Sequence, residues 1–178
     1  MVNILCFHGC GQDSQIFSSL LKNLQKTLKS HKWEYIEGKF PKKVSGFGWY
    51  KYRDIDQTDI ISSCYSDIID YIINPSDTIL IGFSEGGQFV LDIAQTLPNI
   101  RGVVAISPSY NVSIPKTNIH CPVIFIYSNI EDKYIKKSVY TWKKQIIGHI
   151  TEITHNKGHK IYLPEDTRNT IKNVLHLC

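Results

Sequence analysis

Apolar residues along this chain switch between two rhythms. Val2–Phe7 is a short apolar run of strand type, and Gln15–Lys29 follows with helical spacing at Ile16, Leu20, Leu21, Leu24 and Leu28. Trp33–Glu37 reads as a second strand. Asp59–Ile73 predicts a helix, with Ile60, Ile61, Cys64, Ile68, Ile69 and Ile72 on one broad face. Asp77–Phe83 is a third strand, and its unbroken Ile79-Leu80-Ile81 suits a sheet covered on both faces. The alternation continues with helical spacing over Glu85–Leu97, strands at Arg101–Ile106 and Pro122–Tyr127, a helix at Tyr134–Ile147, a sixth strand at Ile150–Thr154 and a closing helix at Glu165–Leu175. Strands alternating with helices imply βαβ units, hence an α/β fold of about six mainly parallel strands with helices on both faces. No repeat or linker divides residues 1–178, so one domain is expected.

The longest stretch without a regular rhythm is Gly38 to Thr58, and a loop of that length in a compact domain is usually functional or disordered. Phe40, Phe47, Trp49, Tyr50 and Tyr52 fall in it. They read either as the lining of an acyl pocket, with Phe47, Trp49 and Tyr50 foremost, or as packing of the loop onto the body. Its cations (Lys39, Lys42, Lys43, Lys51 and Arg53) read as a solvated face, with attraction of an anionic substrate as the alternative.

Composition narrows the field. Hydrophobic residues are 42% and charged residues 20%, the balance of a globular domain and not of a disordered one. A net charge of +4, scattered along the chain, does not form the clustered basic stripe of a nucleic-acid binder. Five cysteines with no C-x-x-C argue against a zinc site or a redox pair, and no histidine shows metal-ligand spacing, so neither metal nor cofactor is expected. Without a signal-type N-terminus or an apolar run of membrane-spanning length, a cytoplasmic protein with reduced thiols and no stable membrane insertion is expected.

In a parallel sheet, ligands bind at the carboxyl ends of the strands, and three such turns carry chemistry. Gly82-Phe83-Ser84-Glu85-Gly86 is a G-x-S-x-G placed between a buried strand and a helix, the context that turns its serine into an exposed nucleophile. His8-Gly9-Cys10-Gly11 follows the first strand. For acyl transfer the backbone N–H of Cys10 and that of Glu85 would form the oxyanion hole, while His8 braces the loop. The third region comprises Ser128-Asn129-Ile130-Glu131-Asp132 and His155-Asn156-Lys157-Gly158-His159. A serine hydroxyl needs a histidine base, and that base needs an acid to orient it. Of the two acids, Asp132 is preferred over Glu131 because it opens the helix, where pure capping is its other reading. Of the two histidines, His159 is preferred over His155 because it lies beyond the strand end and can reach back over Ser84. The order Ser84, Asp132, His159 is that of α/β-hydrolases. A remote rival is a dinucleotide site at Gly9-x-Gly11-x-x-Ser14 with Glu37 as the ribose-binding acid, which leaves the G-x-S-x-G unexplained.

Together these residues resemble the small FSH-type serine hydrolases of the phospholipase/carboxylesterase group. The likeness lies in His8-Gly9 with Gln12 and Phe17, Glu34-Tyr35-Ile36-Glu37-Gly38, Gly48-Trp49-Tyr50, the Gly82–Gly86 motif and Gly158-His159. It implies a compact α/β-hydrolase fold without a large lid domain, a Ser84–Asp132–His159 triad, and oxyanion donors at Cys10 and Glu85. The activity it implies is cofactor-free hydrolysis of small-molecule carboxylic esters or thioesters. Two positions depart from the family pattern: Glu85 stands where glutamine is usual, and Ser128 where glycine is common. They are the basis of a second expectation, a hydrolase-fold binding protein with little or no turnover.

Overall fold

The computed structural model describes residues 1–52, 60–111 and 117–177. Six strands form one parallel sheet: β1 (Asn3–Phe7), β2 (Lys32–Ile36), β7 (Thr78–Phe83), β8 (Gly102–Ile106), β9 (Val123–Ser128) and β10 (Ile150–His155), in the order β10-β9-β8-β7-β1-β2. Apolar residues alternate across it with the two-residue period of a strand. Leu5, Phe7, Leu80, Val103, Ala105, Val123 and Phe125 point to one core, while Ile4, Cys6, Ile79, Ile81, Val104, Ile106, Ile124 and Ile126 point to the other. Helices α1 (Ser14–Thr27) and α5 (Glu165–Val174) cover the second core through Phe17, Leu21, Leu24 and Ile171. Helices α2 (Tyr65–Tyr71), α3 (Glu85–Thr96) and α4 (Lys133–Lys143) cover the first through Ile68, Phe89, Val90, Val139 and Trp142. This is the doubly covered α/β sheet expected from the alternation of rhythms.

Two segments differ from expectation. The described part of the Gly38–Thr58 stretch, residues 38–52, contains short strands: β3 (Phe40–Pro41) pairs antiparallel with β4 (Phe47–Gly48), and β5 (Tyr50–Tyr52) pairs antiparallel with β6 (Ile60–Ser63). The helix predicted over Asp59–Ile73 is therefore shorter. Its first part is strand β6, and α2 begins at Tyr65. A β-branched Ile60-Ile61 pair fits a strand as well as it fits a helical face, and pairing with β5 decides the matter. Residues 53–59 of this stretch, Arg53 and Asp59 among them, lie outside the described residues.

The central strands carry the stability of this arrangement. Leu80, fully buried in β7, should cost about 2–5 kcal/mol when cut to alanine, because transfer and cavity terms add. Urea denaturation of Leu80→Ala measures this. A loss below about 1 kcal/mol would contradict a closely packed core at that strand.

Candidate active site

Strand β7 ends at Phe83, and the chain enters α3 through Ser84, whose φ of 54° and ψ of −114° lie outside the helical and extended regions. The local sequence makes this turn feasible. A Cβ on Gly82 would run into the carbonyl of Gly86, and one on Gly86 would run into the carbonyls of Phe7 and His8. The two glycines of the motif thus let the turn fold on itself and let the end of β1 lie against it. Ser84 holds the cap position of α3, but its Oγ caps no backbone N–H of that helix. Its backbone is tied down instead: the N–H donates to Ile106 O at 2.9 Å, and the carbonyl accepts from Gln88 N at 3.0 Å and Ser109 N at 3.2 Å.

The hydroxyl points at His159. Nε2 of His159 lies 3.1 Å from Ser84 Oγ, and its ring packs on Phe83 with centroids 4.9 Å apart. Nδ1 lies 2.7 Å from Oε1 of Glu131, whose other oxygen accepts from the Ser107 hydroxyl at 2.9 Å. The Glu131 carboxylate is 1% exposed and the His159 ring 41% exposed. A buried acid therefore holds one nitrogen of an imidazole whose other nitrogen faces the half-buried Ser84.

The expectation that Asp132 orients His159 is corrected by this geometry. Asp132 is exposed and caps α4, its Oδ1 accepting from Ile135 N at 2.9 Å. A short carboxylate at that position reaches the third N–H of its own helix and is thereby occupied. Glu131, one residue earlier and one methylene longer, turns down into the sheet edge. Of the two histidines considered, His159 is the one that lies beside Ser84. His155 is buried at the end of β10, its Nδ1 accepts from Lys157 N at 3.2 Å, and burial lowers its pKa despite the neighbouring Glu131 charge.

Ser107, which no motif singled out, and Ser128, noted above as a departure from the family pattern, support this arrangement. Ser107, fully buried with φ 43°, follows β8 and fixes the far oxygen of Glu131. Ser128 Oγ accepts from Ile130 N at 3.2 Å and from Gly158 N at 3.0 Å, so one hydroxyl ties the acid loop to the histidine loop. A glycine at that position would have no side chain to make either bond. A lone serine such as Ser107 at a strand end carries no distinguishing pattern, and only adjacency in the sheet reveals it.

The His8–Gly11 turn adjoins the Ser84 turn, with the carbonyls of Phe7 and His8 against Gly86. Cys10 is exposed in this turn, and Glu85 is the first residue of α3, where a backbone N–H has no partner within the helix. His8 is fully buried and braces the turn as expected: Nδ1 is 2.9 Å from Gly9 O, and Nε2 is 3.0 Å from Gly38 N and from Glu37 Oε1. The second oxygen of Glu37 accepts from Ser14 N at 3.1 Å and Ser14 Oγ at 2.8 Å, so the acid considered for a ribose is engaged within the fold.

The acyl-pocket expectation is corrected for Trp49 and Tyr50. Trp49 is fully buried, stacked on Phe89 at 4.9 Å and edge-on to Phe7 at 5.1 Å, and its Nε1 donates to His8 O at 2.8 Å. Tyr50 is equally enclosed, donating to Asp92 Oδ2 at 2.6 Å, and burial raises its pKa well above the usual tyrosine value. Large aromatic rings gain more by joining the first core than by lining an open surface. Phe47 is half-buried, and its backbone pairs with the Gly11–Gln12 turn.

The serine hydrolase (FSH1) family matches residues 1–171 of the chain. No curated protein matches it by sequence. Among solved structures it is similar to a carboxylesterase from Mesorhizobium loti (16% identity, 98% of this chain and 88% of that one, TM-score 0.74). It is also similar to the Zea mays acyl-protein thioesterase 2 (18% identity, 98% and 94%, TM-score 0.71) and to the esterase PE8 (17% identity, 98% and 91%, TM-score 0.73). At such identities these likenesses establish the α/β fold.

The capping geometry has a measurable consequence. Asp132→Ala should lower stability by about 1 kcal/mol, the usual worth of an N-cap, in a thermal or denaturant melt. An unchanged melt would show that the Asp132–Ile135 bond contributes nothing to α4.

Proposed function

Because the chain belongs to the serine hydrolase (FSH1) family, whose activity is hydrolytic, we propose that it cleaves carboxylic esters or thioesters through an acyl-enzyme on Ser84, with His159 as base and Glu131 as the orienting acid. The observation that carries this reading is the continuous line from Ser84 Oγ to His159 Nε2 at 3.1 Å and from His159 Nδ1 to Glu131 Oε1 at 2.7 Å. The folds it is similar to, of esterases and an acyl-protein thioesterase, agree with that substrate class.

The steps follow from the geometry. Ser84 Oγ attacks the acyl carbon while its proton passes to His159 Nε2, and the carbonyl π pair becomes the charge on an oxyanion. The N–H groups of Cys10 and Glu85, at two adjoining turns, hold that charge, assisted by the positive end of α3. Collapse of the intermediate breaks the bond to the alcohol or thiol, which leaves with the proton from His159. Water then attacks the acyl-enzyme, gives its proton to the same nitrogen, and Ser84 recovers that proton as the acid departs. Glu131 accepts from Nδ1–H throughout and stabilises the imidazolium. Its burial keeps water from competing for that bond. The departures that favoured a binding protein have structural uses compatible with turnover: Ser128 joins two loops, and the Glu85 carboxylate is paired with Lys42.

Among the described residues no helix is long and apolar enough to cross a membrane. The cysteines Cys6, Cys10, Cys64 and Cys121 are free; such thiols suit the reducing cytoplasm that we infer as its compartment.

Fluorophosphonate labelling read by intact mass tests the reading directly: one adduct on the wild-type protein and none on Ser84→Ala. Absence of an adduct on folded wild-type protein would refute an activated serine. Steady-state hydrolysis of p-nitrophenyl esters separates the two acids. Ser84→Ala and His159→Ala should lower kcat by about 10⁶, and Glu131→Gln by about 10⁴, while Asp132→Asn should change it by less than about threefold. A large loss in Asp132→Asn with an active Glu131→Gln would reverse the assignment.

A further inference from the structure

Lys42 lies in a segment whose cations read as a solvated face, and Lys39, Lys43 and Lys51 are indeed exposed. Lys42 is turned inward. Its Nζ is 3.3 Å from Glu85 Oε1, 3.2 Å from the Tyr50 carbonyl and 5.1 Å from the centre of the Tyr52 ring. The two side chains of the pair are 19% and 7% exposed. Glu85 has further partners in the same segment: Oε2 accepts from Trp49 N at 2.8 Å, and Oε1 accepts from the Tyr52 hydroxyl at 3.2 Å. Burial raises the pKa of the Cys10 thiol, the Glu85 charge raises it further and the Lys42 charge lowers it, so both charges lie near Cys10. The ion pair thus adjoins both residues whose backbone N–H groups the mechanism uses, Cys10 and Glu85 itself.

A carboxylate on the residue following the nucleophile is an awkward neighbour for a developing oxyanion. In a partly dehydrated site like charges repel far more strongly than in water. The same carboxylate nevertheless fastens the β4–β5 segment to the N-terminus of α3 through Trp49, and Trp49 in turn bonds His8 O of the Cys10 turn. Resting on the hydrolase reading above, we infer that Lys42 is a positioning residue: its ammonium neutralises Glu85, so that this carboxylate pins the two oxyanion turns together without opposing the charge they stabilise. Lys42 and Glu85 therefore act as a unit.

A double-mutant cycle tests the unit, with p-nitrophenyl acetate as substrate and thermal melts to verify folding. Lys42→Gln removes the charge while keeping a donor for the Tyr50 carbonyl. It should lower kcat at least tenfold with KM within about twofold, because the loss falls on the transition state. In the Glu85→Gln background the same change should lower kcat by less than about threefold. Lys42→Met is the second variant, with the same expectation. A Lys42→Gln enzyme within twofold of the wild-type kcat overturns the inference. So does a loss equally large in the Glu85→Gln background, or a rise in KM alone, which would make Lys42 a substrate contact. The two levels of the argument fail differently: wild-type protein that takes no fluorophosphonate overturns the hydrolase reading, whereas a labelled, active enzyme indifferent to Lys42→Gln overturns this inference alone.

Discussion

Ser84 occupies a positive-φ conformation, φ 54° and ψ −114°, that costs a non-glycine residue of the order of 1–3 kcal/mol, and the rest of the site is arranged around it. Such a residue persists only where its surroundings over-determine it. Here the backbone on either side is bonded to Ile106, Gln88 and Ser109, and the flanking glycines let the ends of β1 and β7 close in. The reward is positional. The Ser84 hydroxyl, at the cap position of α3, makes no cap bond and meets His159 instead.

Around that turn, buried carboxylates do the fixing, and each is satisfied in a different manner. Glu131 is held by Ser107 and His159, Glu85 by Trp49, Tyr52 and Lys42, and Asp92 accepts from Tyr50. A buried charge without partners costs several kcal/mol, so the partners are a condition of the fold and not an ornament of the site. Because those partners come from segments far apart in the chain, the acids also act as clamps. Glu131 joins β8 and the loop after β9 to the loop after β10; Glu85 joins α3 to the β3–β5 region. The geometry proposed for acyl transfer is thus maintained by the same bonds that close the sheet's C-terminal edge.

The aromatic residues of the Phe40–Tyr52 segment show how packing overrides a plausible site assignment. Trp49 and Tyr50 have the size and apolarity of pocket residues, yet both are enclosed beside Phe89 and Phe7. Their polar atoms find partners inward, Trp49 Nε1 at His8 O and the Tyr50 hydroxyl at Asp92, which permits complete burial. Trp49 contributes to the site indirectly, bonding both Glu85 and His8 and so linking their two turns.

Whatever depends on local period and local sterics is legible along the chain. Alternating runs of apolar residues specify a parallel sheet covered on both sides, and a G-x-S-x-G between a buried strand and a helix specifies the strained turn and its serine. Gly158-His159 beyond the last strand marks the histidine that lies beside that serine. The choice between Glu131 and Asp132 was not of that kind. Both acids stand next to each other before a helix, and a rule of capping alone points to whichever opens it. Only the tertiary structure decides, because Ser107 comes from a neighbouring strand and His159 from a loop that follows 28 positions later. The same holds for the strand at Ile60–Ser63, which reads as helix until β5 pairs with it, and for Lys42, which reads as solvated until Glu85 draws it in. Contacts between distant segments are set by how elements stack, and no local pattern of residues encodes which partner a buried charge will meet.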